Sequence, residues 1–180
     1  LKLARHMVRS EPDARVLVVC LELCTLHLQE SAALEQVLTF SLFADGAAAA
    51  LVTAEPRGLA LPGFAAALVP EARDQITWRV GDGGFEMGLS GEVPATIARE
   101  LPLRMPAILG PWAASEVALW AVHPGGRTVL DAVERALDLH PAAMAASREV
   151  LRSYGNMSSP SVLFVLKALM GEGGRGRGCG

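Results

Sequence analysis

The 180-residue chain carries a net charge of −3 and is 51% hydrophobic, which gives it the length for one domain with a sizeable core and excludes extended disorder. Its charges are interspersed, with no basic stripe to neutralise a phosphate backbone and no acidic tail, so nucleic acid is a poor partner. Charges or prolines interrupt every apolar run before the ~20 residues of a bilayer crossing; Cys20, Cys24 and Cys179 form an odd set without a secretion signal, so a cytoplasmic protein without a disulfide framework is expected.

The opening "LKLARHMVRS" reads as an amphipathic helix over residues 1–10. No initiator methionine precedes it, so the sequence reads as cut. "ARVLVVCLEL", residues 14–23, is a continuous apolar and β-branched run, the pattern of a central strand covered on both faces. In "LFADGAAAALVTAE" a turn at Asp45 and Gly46 leads into a second strand ending near Thr53. The Pro/Gly-punctuated "EPRGLALPG" marks a boundary, dividing the chain into residues 1–54 and 55–170. Beyond it "FAAALVP", "DQITWRVGDGGFEMGLS" and "EVALWAVHP" read as strands, the middle one a hairpin in which Ile76, Trp78 and Val80 alternate with polar residues.

Helices follow. Val129, Leu130, Val133 and Leu137 form one apolar face opposite Asp131, Glu134 and Arg135. Pro141 suits a first turn and Gly155 a C-cap, which brackets a second helix. Ser159 as N-cap and Pro160 as N1 open a third, charged only at Lys167 and therefore expected to be central and buried. The glycine-rich "GEGGRGRGCG", residues 171–180, is expected to be a disordered tail with no packed element or closing strand. The class is α/β.

Two polar residues stand out by position. His123 sits in "WAVHPGG" where an apolar strand stops, and Asn156 sits in the loop before a buried helix; in α/β folds strand ends and helix starts are where ligands are held. For each, an ordinary hydrogen-bonded loop residue is the plain alternative. "CLELC" puts Cys20 and Cys24 on one face of a strand, but no further ligand completes a metal set, so core packing is the better reading and no metal is expected.

"VLVVCLEL", "LFADGAAAAL", "WAVHPGGRTVLDAVERAL" and "SREVLRSYGNMSSPSVLFVL", in this order and across the chain to Met170, resemble signature segments of the chalcone synthase-like family, the type III polyketide synthases. The resemblance implies a thiolase-like αβαβα layered fold, here incomplete and truncated at both ends, normally a homodimer. It implies decarboxylative condensation of malonyl-CoA with an acyl-CoA starter, CoA thioesters being substrates and no bound cofactor being needed. Through "HPGG" His123 corresponds to the family's catalytic histidine, and through "YGNMSS" Asn156 to its catalytic asparagine. The family's nucleophilic cysteine lies just upstream of Leu1, so the isolated chain is expected to be inactive.

The same resemblance makes Phe43 and Met87 gatekeepers between a CoA tunnel and a cavity, and Cys24, His27, Ile76, Trp78 and Ser158 cavity-lining residues. Ordinary core is the alternative for these, for Ile76 and Trp78 above all. "ELCTLHLQ" and "TWRVGDGGFEMGLS" resemble members that make alkylpyrones or alkylresorcinols from fatty acyl starters. Two further readings are a non-catalytic fragment or association partner of such an enzyme, and a β-ketoacyl synthase III relative.

Overall fold

The computed structural model describes residues 1–82, 84–171, 176 and 178–180, without the side chain of Glu35. Gly83, at the expected hairpin turn, and residues 172–175 and 177 of the expected tail lie outside the described residues.

Helix α1 (Lys2–Ser10) leads into β1 (Val16–Glu22), and β2 (Gly46–Val52) returns antiparallel beside it, Val16 opposite Val52 and Glu22 opposite Gly46. The expectation that β1 is covered on both faces is not met in this chain. Its residues alternate, and Leu17, Val19 and Leu21 each stay about three-fifths exposed. A continuous apolar run fits a two-sided environment, but here helix α6 (Ser159–Gly171) rests on the β1–β2 ladder and the opposite side chains face out.

The hairpin forms as expected, from β3 (Ile76–Gly81) and β4 (Gly84–Leu89), with Trp78 directly opposite Met87. Two other expected strands do not. "FAAALVP" runs irregularly into a 3₁₀ turn, Pro70–Ala72, and "EVALWAVHP" contracts to β5, Leu119–Trp120. The tail is corrected as well: Gly171 belongs to α6, and Gly178–Cys179 form β6, which pairs in parallel with β5.

Two helices escape the sequence reading. The largely apolar "ALEQVLTF" region, whose apolar residues form no clear stripe, gives α2 (Leu34–Leu42), and α3 (Val93–Leu109) carries Pro102 and Pro106 inside it. An interior proline ordinarily costs about 3 kcal/mol through its missing N–H and ring clash. Tertiary packing offsets that here. Met105, with Leu101 beside it, packs toward Val117 and Trp120, and Ile97 and Leu101 pack on the fully buried Leu130 and Met144.

Leu130 and Val133 are the buried face of α4 (Arg127–Ala136), as the sequence spacing predicts. A 3₁₀ turn, Pro141–Met144, then precedes α5 (Ala145–Tyr154), which ends at Gly155 with φ 73°. The left-handed value explains the glycine. Helix α6 buries Pro160, Ser161 and Val165 in a core shared with Ala121, Ala146, Val150 and Met157. Ser159 opens this helix, but its hydroxyl donates to Glu22 Oε1 at 2.6 Å, while Ser161 Oγ accepts the Met157 N–H at 2.8 Å.

Candidate functional site

Asn156 is fixed from both neighbouring directions. Its backbone N–H donates to Leu42 O and its carbonyl accepts from Ala44 N–H, both at 2.9 Å, forming a one-residue parallel bridge with Phe43. The side chain is buried, about 5% exposed, and its two ends are told apart by their partners. Oδ1 accepts the Ser158 N–H at 2.9 Å, and Nδ2 donates to Gly125 O at 3.2 Å. Rotating the amide by half a turn would set oxygen against oxygen and N–H against N–H. The carboxamide is therefore locked with its second N–H as the donor it can offer. Ser158 holds its part of this arrangement at φ 58°, an uncommon backbone conformation for a residue other than glycine.

His123 lies against Gly125, whose carbonyl accepts the Asn156 amide. The chain folds back after β5 so that Gly125 N–H donates to His123 O at 2.9 Å, and a Cβ on Gly125 would lie 3.5 Å from His123 Cδ2 and 3.7 Å from Nε2. Gly125 thus receives the Asn156 amide on its carbonyl and the His123 ring against its Cα. The structure brings these two sequence-predicted residues together, although 33 positions separate them in the chain. His123 is exposed as a residue, yet the protein packed around its ring removes part of the water that would stabilise the charged form and pulls its pKa below the ordinary histidine value.

A cavity of about 100 Å³ has neither His123 nor Asn156 in its lining, but two of its wall residues adjoin Asn156: Phe43, its bridge partner, and Ser158, whose N–H its side chain accepts. Cys24, His27, Trp78 and Ser158, four of the five residues expected to line a cavity, are in its wall, together with the two expected gatekeepers Phe43 and Met87. Ile76 is not. It sits one strand repeat beyond Trp78, opposite Leu89, and is half exposed. Core packing also fails for Trp78, which is 54% exposed while lining the cavity. Glu22, Thr25, Leu28 and Phe40 complete the wall and were missed. Phe40 sits on α2, a helix without a clear periodic signal, whereas Glu22 follows directly from the alternation of β1.

His27 organises the outer wall. Its ring meets Trp78 edge-on at 5.5 Å and Phe85 at 5.4 Å, and Trp78 and Phe85 meet each other at 6.0 Å. Such T-shaped contacts suit aromatic quadrupoles. Gln29 Nε2 adds a bond to Phe85 O at 3.2 Å. Deeper in, Cys24 Sγ and Ser158 Oγ are 3.6 Å apart. Cys20 lies on β1 outside the cavity, and burial raises the thiol pKa of Cys179. A second, larger cavity of about 600 Å³, floored by Trp120, Leu137 and Leu139 with His140 at its rim, includes neither His123 nor Asn156. Among the described residues no cluster of three or more His, Cys, Asp or Glu side chains has metal-site geometry, and no helix is long and apolar enough to cross a membrane.

Comparison with known proteins defines the class. The chain superposes on 1,3,6,8-tetrahydroxynaphthalene synthase from Streptomyces coelicolor A3(2), a bacterial type III polyketide synthase, with a TM-score of 0.89 and 34% identity over 96% of this chain and 51% of that one. PKS-I of the brown alga Ectocarpus siliculosus matches with a TM-score of 0.89 and 30% identity over 96% and 48% of the two chains. The C-terminal type III polyketide synthase domain of Steely1 from Dictyostelium matches with a TM-score of 0.77 and 25% identity over 92% and 49%. The chain thus has the thiolase-like fold of the type III polyketide synthases and spans about half the length of the solved structures it matches. Residues 62–177 match the C-terminal domain of chalcone and stilbene synthases, and residues 1–69 match 3-oxoacyl-[acyl-carrier-protein (ACP)] synthase III. The chain belongs to the chalcone and stilbene synthase family of type III polyketide synthases.

Proposed function

We propose that this chain supplies the histidine and asparagine of a synthase that extends an acyl-CoA starter with malonyl-CoA, with a fatty acyl starter giving alkylpyrone or alkylresorcinol products. The observation that carries the reading is the convergence of His123 and the buried, orientation-locked Asn156 on Gly125. In the first step a cysteine thiolate attacks the starter thioester carbonyl and CoA leaves as its thiolate. Malonyl-CoA then loses CO2, and the electron pair of the broken C–C bond becomes an enolate whose oxygen takes the negative charge. The enolate carbon attacks the enzyme-bound acyl carbonyl, the C–S bond breaks, and the cysteine thiolate is regenerated.

Asn156 suits the enolate oxygen because its available group is an N–H already fixed in place, so no reorganisation is needed as charge develops. His123 supplies the second donor and, beside a thiolate, a protonated partner for it; the negative sulfur would draw upward the imidazole pKa that burial alone depresses. The nucleophile of the intact synthase comes from the segment leading into α1. Residues 1–54 belong to the thiolase-like N-terminal half and residues 55–170 to the C-terminal domain, in a cytoplasmic homodimer.

The test is mass spectrometry of products from the intact synthase offered malonyl-CoA and a panel of acyl-CoA starters. Decarboxylation and extension should both vanish with His123→Ala and with Asn156→Ala. Normal turnover in either variant would exclude that residue's role. Similarity of residues 1–69 to the carrier-protein synthases favours one alternative. Turnover with malonyl carrier protein but not malonyl-CoA would select it.

A further inference from the structure

We infer that Asp45 is a positioning residue that sets the shape of the cavity, by pinning the wall segment Cys24–His27 to the residues before β2 that bridge to Asn156. The inference rests on the proposed function, takes the cavity as the chamber for the growing acyl chain, and adds a specificity determinant to it.

Asp45 is held firmly on both sides. Before it, Ala44 N–H donates to Asn156 O at 2.9 Å, and after it Gly46 approaches Met157 so closely that a Cβ there would fall 2.5 Å from Met157 Sδ. From this fixed post the carboxylate takes two bonds from one residue: Thr25 N–H to Oδ1 at 2.8 Å and Thr25 Oγ1–H to Oδ2 at 2.7 Å. Both favour the ionised form, so the Asp45 pKa lies below the ordinary aspartate value.

The short 3₁₀ turn Cys24–His27 has no buried residue: Leu26 within it is 75% exposed and Leu23 just before it 46%. Apolar burial therefore does little to locate it. Yet this turn projects both Cys24 and His27 into the cavity, and His27 in turn holds Trp78 and Phe85 of the hairpin. Cavity width on this side is set through Asp45 to Thr25, then through the turn to His27 and the hairpin rings. Small displacements of a positioning contact are enough to spoil a reacting geometry.

The test uses the intact synthase with Asp45→Ala, Asp45→Asn, Thr25→Val, Thr25→Ser and the Asp45→Ala/Thr25→Val double variant. Asparagine can still accept the Thr25 N–H and donate to Oγ1, and serine keeps the hydroxyl, so in these two Cys24 should be labelled at the parent rate. Asp45→Ala should speed alkylation of Cys24 by iodoacetamide about tenfold by freeing the turn locally, with Cys179 labelling unchanged. It should also raise the starter KM and broaden the range of product lengths. The double variant should be no worse than Asp45→Ala, because both substitutions break one linkage.

Unchanged Cys24 labelling and product range in Asp45→Ala, or independent effects that multiply in the double variant, would overturn the inference. If Asp45→Ala unfolds, Thr25→Val and Thr25→Ser decide: faster Cys24 labelling in valine alone supports it, and equal rates refute it. The labelling needs no catalysis. A synthase whose His123→Ala variant still decarboxylates malonyl-CoA would thus defeat the functional reading while leaving this linkage separately judged.

Discussion

Gly46→Ala perturbs the site without touching a proposed reacting group. A Cβ on Gly46 would lie 2.5, 2.7 and 2.8 Å from Met157 Sδ, Cγ and Cβ, all well inside normal carbon and sulfur contact distances. Met157 is 2% exposed and its N–H is tied to Ser161 Oγ, so its Cβ cannot swing away as a free side-chain tip would. Either β2 or the Asn156–Met157 backbone must move. Overpacking of this kind costs typically about 1–3 kcal/mol. Equilibrium urea unfolding of Gly46→Ala, Met157→Ala and the double variant measures it. Truncating Met157 removes the Sδ and Cγ clashes and leaves only its Cβ at 2.8 Å, so the double variant should be more stable than the sum of the single effects predicts, without full recovery. Starter turnover should fall in Gly46→Ala and recover in part in the double. A neutral Gly46→Ala, or additive effects, would refute the claim that this close approach helps place Asn156.

The remaining predictions concern the proposed donors, the core and proton linkage. Asn156→Asp keeps the shape but replaces the offered N–H by an acceptor oxygen, and should lower malonyl-CoA decarboxylation by about 10²–10³-fold, as loss of an oxyanion donor does; a CO2-release assay near parent rate would contradict it. Leu130→Ala removes a fully buried side chain from the α3–α4 core and should cost about 2–5 kcal/mol in urea unfolding, against almost nothing for the exposed Leu103→Ala. His123 has a folded pKa below its unfolded value, so between those two values the unfolded chain binds more protons. Stability at this residue should therefore be complete above the unfolded value near 6.5 and decline as pH falls through that window; His123→Gln should lose the dependence in pH-resolved unfolding.

The sequence reading succeeds where a local pattern and the tertiary environment agree. The apolar stripe of α4 emerges as its buried face, and Gly155 takes the left-handed angle its place after a helix predicts. It fails where tertiary contacts override local chemistry. Pro102 and Pro106 disqualify a helix by propensity, but contacts made by Leu101, Met105 and Ile97 hold α3 together. The pair Gly178–Cys179 has no strand signal; β5 beside it supplies the ladder, and Ala121 N–H donates to Cys179 O at 2.8 Å.

The site shows the same division more sharply. Short motifs identify Asn156 and His123 as residue types in suggestive loops, but nothing local reveals that one glycine carbonyl will orient the amide while the same glycine lies against the imidazole. That relation is a product of folding residues 42–44 against residue 156 and of turning the chain at residues 123–125. Asp45 illustrates the point from the other direction. In sequence it is only the polar residue of a turn, and its reach to Thr25, 20 positions earlier, exists because β1 and β2 pair antiparallel with Glu22 opposite Gly46, bringing the exit of β1 beside the entry of β2. The register of one ladder thus decides both where the cavity wall is tied and which loop its anchor shares with Asn156.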